Sequence, residues 1–141
     1  MSKPRTILAF DFGLRRIGVA VGQDVTSSAS PVGVIRNGDN GVDHDAIARL
    51  IREWRPTGLV VGMPAHADGS PSDLQAPVEA FISDLEAFGL PIDTVDERYT
   101  SVEAERVLKD ARAAGTRGRI SKETIDSAAA VFIAERYLAS E

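Results

Sequence analysis

The chain has no cysteine and only two histidines, His44 and His66, in 141 residues. Disulfides and thiolate metal sites are therefore excluded, and a structural zinc site lacks the nitrogen and sulfur donors it would need. The cysteine count alone leaves the compartment open. No apolar run is long enough to cross a bilayer. The N-terminus, Met1-Ser-Lys-Pro-Arg-Thr6, enters a short strand-like run without the apolar core and small-residue cleavage site of a signal peptide. No membrane partner is expected, and a cytoplasmic location is. Excess positive charge is also missing: the formal net charge is −5. That argues against coating nucleic acid through bulk charge but leaves room for a local basic surface.

What is present fits one α/β domain over residues 1–141, with an ordinary hydrophobic share of 43%. Thr6 to Phe12 is almost wholly apolar, as in a central strand covered on both faces. Arg16 to Gly22 alternates Ile17, Val19 and Val21 with Gly18, Ala20 and Gly22, so one face packs a core and the other admits close approach. Gly13 to Arg15 is a hairpin-length link, and a third strand is expected from Pro31 to Ile35 after a serine-rich loop. The loop Asn37 to Gly41 then ends an antiparallel meander.

Beyond it the pattern alternates. Ala46, Ile47, Leu50, Ile51 and Trp54 mark a helical face that Pro56 stops; Gly58 to Gly62 is a buried strand. Leu74, Val78, Phe81, Ile82 and Leu85 mark a second helix, with Pro77 pointing to either a late start or a kinked first turn and Gly89 closing it. The strand Ile92 to Glu97 follows. Thr100-Ser-Val-Glu103 fits a capping box for a third helix through Val107, Leu108 and Ala111, and Ser121 can cap a fourth running to about Leu138. This gives five strands in a mixed sheet flanked by about four helices.

Three acids lie at the ends of apolar segments: Asp11 after the first strand, Glu97 after the last, and Asp126 in the opening turns of the final helix. An acid continuing an apolar strand is costly to bury unless paired, hydrogen-bonded or metal-bound, which singles out Asp11. Glu97 and Asp126 sit where acids also serve helix N-termini. Asp126, however, shares its helical stripe with Ala129, Ala130, Ile133 and Tyr137, and an acid on a buried stripe requires a partner. Gathered, the three would form an oxygen cage for a hard divalent cation.

The meander with an acid on its first strand, then alternating helices and strands with an acid after a later strand and one on the last helix, resembles the ribonuclease H-like nuclease architecture. Four blocks, in order, resemble the YqgF/RuvX family: Phe10 to Ala20, Val60 to Ser70, Asp96 to Ala104 and Ile125 to Ala130. The resemblance covers nearly the whole chain. It implies an endonuclease maturing the 5′ end of pre-16S ribosomal RNA, with Holliday-junction resolution as the alternative, and an acidic triad of Asp11, Glu97 and Asp126. Leu14 stands where the family frequently carries a polar residue. Nucleic acid is the implied partner; a homodimer and ribosome-associated partners stay open.

Phosphodiester cleavage needs an activated water, stabilisation of the leaving oxygen and charge neutralisation, which two Mg²⁺ or Mn²⁺ ions about 4 Å apart supply. Asp11 is expected to bridge them, with Glu97 and Asp126 holding one each. Arg15, Arg16 and Arg98 lie beside two of these ligands and are candidates for phosphate contact, though arginines next to acids also form local ion pairs. Lys109, Arg112, Arg117, Arg119 and Lys122 make a cationic loop, which reads equally as a solvated turn. Thr100 and Ser101 read as helix caps, His44 as a surface residue, and His66 as a loop residue for which substrate contact is the lesser reading. Two other classes compete. The first block also resembles the phosphate hairpin of actin and sugar-kinase ATPases, but this chain has no second glycine-rich nucleotide segment. A non-catalytic nucleic-acid or protein-binding module of the same fold is the other.

Overall fold

The computed structural model describes residues 5–39, 41–64, 72–96 and 122–140, the first five residues of the last span in backbone only. Its elements run β1 (Thr6–Asp11), β2 (Arg16–Gln23), β3 (Ser28–Arg36), α1 (His44–Trp54), β4 (Gly58–Met63), α2 (Gln75–Leu85), a 3₁₀ turn (Glu86–Phe88), β5 (Ile92–Asp96) and α3 (Lys122–Ala139). The five strands form one sheet in the order β3-β2-β1-β4-β5. β1 to β3 are antiparallel neighbours, while β4 runs parallel to β1 and β5 parallel to β4. This is the meander-then-crossover arrangement expected. The expected helix over 100–111 and the cationic loop lie outside the described residues, apart from Lys122, which opens α3.

The sheet has two unlike faces. On one, Leu8, Phe10, Ile17, Val19, Leu59 and Val61 pack under α1 and α2 through Ile47, Val78, Phe81 and Leu85. Phe81 is the centre of this layer. Its ring meets Phe10 edge-on at 5.7 Å and Phe12, tilted, at 5.2 Å. On the other face Ile7, Ala9 and Val60 pack against Ile133 and Ala134 of α3. Small residues hold that helix close to the strands: a Cβ on Gly22 would come within 3.1 Å of Ile7 and 3.2 Å of Leu138.

Three local outcomes differ from the sequence expectations. β3 begins at Ser28 rather than Pro31, because a turn over Asp24–Ser27 closes at once and Ser28-Ala29-Ser30 pairs with Gly22 and its neighbours. Serine-rich sequence reads as loop, yet an outer strand tolerates it, since one edge and part of one face meet water. Pro31 is admissible there for the same reason, and the register slips between Val19 and Ala20, leaving Val32 as the extra residue of a bulge. α1 ends at Arg55, in left-handed backbone (φ 46°) with its N–H on the Ile51 carbonyl. Pro56 follows a helix already closed. α2 accepts Pro77 because its first turn has no intrahelical acceptor for that N–H.

Candidate functional site

β1, β4 and β5 are parallel, so their C-terminal ends share one edge of the sheet. In open α/β sheets that edge is where ligands bind. Asp11 is the last residue of β1 and lies half-buried there. Alternation along the strand puts it on the face of Ile7 and Ala9, beneath α3. Its partner across β2 is Gly18, and one step beyond the Phe10–Val61 pair brings it alongside Gly62 of β4. Both flanking positions therefore carry no side chain. Asp11 is thus flanked on both neighbouring strands by glycine.

β5 ends at Asp96, level with Met63 and two strands from β1, about 10 Å away across the ladder. Glu97 is the next residue; it and Arg98 lie outside the described residues, as does His66. Arg136 of α3 donates to the Asp96 carbonyl and ties the helix to this strand end.

α3 crosses the sheet with its first turns toward the Asp11 end. Ser127 Oγ donates to the Gly33 carbonyl at 3.1 Å, and Gly33 lies in the row of Val19 and Phe10. At the opposite end Tyr137 donates to Asp93 at 2.8 Å and accepts from Arg5 at 3.1 Å. Position 126 lies in the first turns of α3, one residue before Ser127; its side chain is not described. Among the described residues no group of three or more His, Asp or Glu side chains comes together to hold an ion.

The link between β1 and β2 forms the rim of this edge. Gly13 is required: a Cβ there would lie 2.7 Å from the Arg16 carbonyl oxygen. Arg15 is exposed, while Arg16 opens β2 half-buried opposite Arg36. Neither Asp11 nor Arg16 is a free charge. A residue the sequence reading missed holds the turn. Asn37 Nδ2 donates to the carbonyls of Gly13 at 3.1 Å and Leu14 at 3.0 Å, and the Asn37 backbone N–H donates to Arg15 at 2.9 Å. No sequence signal links position 37 to position 13; the contact exists because β3 ends beside the hairpin. His44, at the start of α1, pairs with Asp84 at 3.3 Å on the surface, remote from this edge.

Comparisons with known proteins find relatives over nearly the whole chain. Proteins named "Putative pre-16S rRNA nuclease" from Burkholderia lata and Burkholderia multivorans are 45% and 43% identical over 138 residues, covering 97% of this chain and 91% of each relative. Among solved structures, Fowlpox virus resolvase with Holliday junction DNA superposes with a TM-score of 0.61 at 11% identity, covering 96% of this chain and 97% of that one. Thermus thermophilus RuvC with a Holliday junction substrate gives 0.57 at 13% identity, covering 96% and 94%. At such identities these structures establish the fold alone, a ribonuclease H-like sheet. A family model described as "RuvX: Holliday junction resolvase" matches residues 5–140, and the chain belongs to the RuvX family.

Proposed function

We propose that the protein is a divalent-metal-dependent endonuclease that hydrolyses phosphodiester bonds in 5′-end processing of pre-16S ribosomal RNA, acting as one domain over residues 1–141 in the cytoplasm. The observation that carries this reading is Asp11: a carboxylate ending the central strand, at the ligand-binding edge, between two glycines. The relatives at 43% to 45% identity carry the nuclease name over nearly their full length.

A hard cation fits the donors, which are oxygen only. Asp11 would hold it together with Glu97 and Asp126, as two Mg²⁺ or Mn²⁺ ions. Bound ions of this kind supply an activated water, a stabilised leaving oxygen and charge neutralisation. The remaining work belongs to the chain. Gly18 and Gly62, which carry no side chains, would allow close approach of a phosphate, and Arg15, Arg16 and Arg98 would contact the scissile phosphate or its neighbours. Net acidity makes binding depend on divalent cation, and arginine–phosphate contacts make it fall with salt.

Resolution of branched DNA is the second reading, favoured by the family description and by the fold. Purified protein incubated with a 5′-extended 16S precursor fragment and a four-way DNA junction, in Mg²⁺, Mn²⁺ or EDTA, tests both. Cleavage should require metal and fall at least about 100-fold in Asp11→Asn and Glu97→Gln. The faster substrate chooses between the readings. Cleavage that persists in EDTA or in both variants would overturn the metal–carboxylate assignment.

A further inference from the structure

Leu14 is 66% exposed, one of only two large apolar side chains so exposed among the described residues. The other, Val25, sits on the β2–β3 turn at the far end of the sheet. A lone exposed leucine commonly means nothing. This one differs in being held. The backbone around it is held by three hydrogen bonds from Asn37, to Gly13, Leu14 and Arg15, and at Gly13 the chain passes so close to the Arg16 carbonyl that a side chain would not fit. Asn37 itself is half-buried, with its side-chain oxygen shielded from water. A rigid turn thus presents an isobutyl group to solvent three residues from Asp11, with Arg15 exposed beside it.

We propose that Leu14 is a base-contact residue: it packs against the face of a nucleobase, or wedges between two, in the strand whose phosphates Arg15 and Arg16 engage. The inference rests on the nuclease reading and deepens it. The chemistry divides naturally: guanidinium groups take the anionic backbone, and the adjacent apolar group takes the face of the base, the broadest weakly polar surface of a nucleotide. Apolar wedges of this kind unstack a base step and hold the strand open. Rigidity is what makes such a contact effective, because a turn that is already ordered pays no ordering cost when it binds. Asn37 is then a positioning residue, acting through the turn without touching the strand. Contact with a base face is indifferent to sequence, so Leu14 would select for unstacked nucleotides rather than for a motif.

The test uses the full chain and fluorescein-labelled 5′-extended 16S precursor fragment, with binding followed by anisotropy in Ca²⁺ and cleavage in Mg²⁺. Leu14→Ser should raise the dissociation constant and KM about tenfold with kcat little changed, and Leu14→Met should restore both to within about twofold. The urea midpoint of Leu14→Ser should match wild type, since the side chain is exposed. In a series of RNAs each with one abasic nucleotide, wild type should fall to the level of Leu14→Ser at the contacted position and nowhere else. Asn37→Ala should reproduce the KM effect with Leu14 intact. If Leu14→Ser binds every RNA as wild type does, the proposal is overturned while the nuclease reading stands. If wild-type protein binds neither this RNA nor a four-way junction, the nuclease reading fails and takes the proposal with it.

Discussion

Replacing Phe81 by alanine tests whether the aromatic layer beneath β1 supports the strand that ends at Asp11. Phe81 is 1% exposed and contacts two rings, Phe10 at 5.7 Å and Phe12 at 5.2 Å. Burial of such a side chain contributes about 3 kcal/mol, and the cavity left by truncation raises the cost to about 3–5 kcal/mol. The ring pairs place Phe81→Ala toward the upper half of that range, at about 4 kcal/mol. A chain of 141 residues has a total stability of roughly 7–20 kcal/mol. The variant should therefore remain folded at 25 °C and lose about 8–16 °C in Tm. Phe81→Leu keeps most of the volume and should cost under about 1.5 kcal/mol. Urea denaturation followed by far-UV circular dichroism reads both, with the m-value unchanged. Because Phe12 adjoins Asp11, cleavage by folded Phe81→Ala should also drop about tenfold relative to Phe81→Leu, as small displacements of a reacting group are costly. A loss below 1 kcal/mol for Phe81→Ala would refute the reasoning, since it would mean the rings do not hold α2 against the sheet.

Two further outcomes follow from contacts already described. Ser127→Ala removes the donor to the Gly33 carbonyl across α3 and β3, and should cost about 1–2 kcal/mol in the same urea assay, leaving the overall fold intact by circular dichroism. Gly13→Ala places a methyl 2.7 Å from the Arg16 oxygen, so the turn must shift; stability should fall by about 1–3 kcal/mol, and metal-dependent cleavage should fall more than in any equally destabilised core variant.

The readable parts of this chain were those where side-chain pattern alone decides the outcome. β1, β2 and β4 declare themselves because both faces of the sheet are covered, and Asp11 stands out as a charge at the end of such a strand. The stripe of Val78, Phe81 and Leu85 likewise fixes α2 and the face it buries. What the sequence concealed depends on where elements come to rest. Ser28 to Ser30 form a strand because β2 supplies a partner, not because serine prefers one. Arg55 ends α1 in a conformation that no single residue type announces. Asn37 clamps a turn more than twenty residues away because two strand ends meet there. Of the three acids only Asp11 can be followed into its surroundings; Glu97 and the side chain of Asp126 lie outside the described residues.

The strand order has a consequence for how the protein breathes. β1 is zipped along both edges, to β2 and to β4, so exposing its amides to exchange with solvent means parting the sheet down the middle. Hydrogen exchange at Ile7 to Phe10 should accordingly report the global opening energy, whereas β3 and β5, at the margins, can fray first. A carboxylate carried by the segment that opens last is a fixed reference point. Whatever adjusts during a turnover has to come to Asp11, because Asp11 cannot go to it.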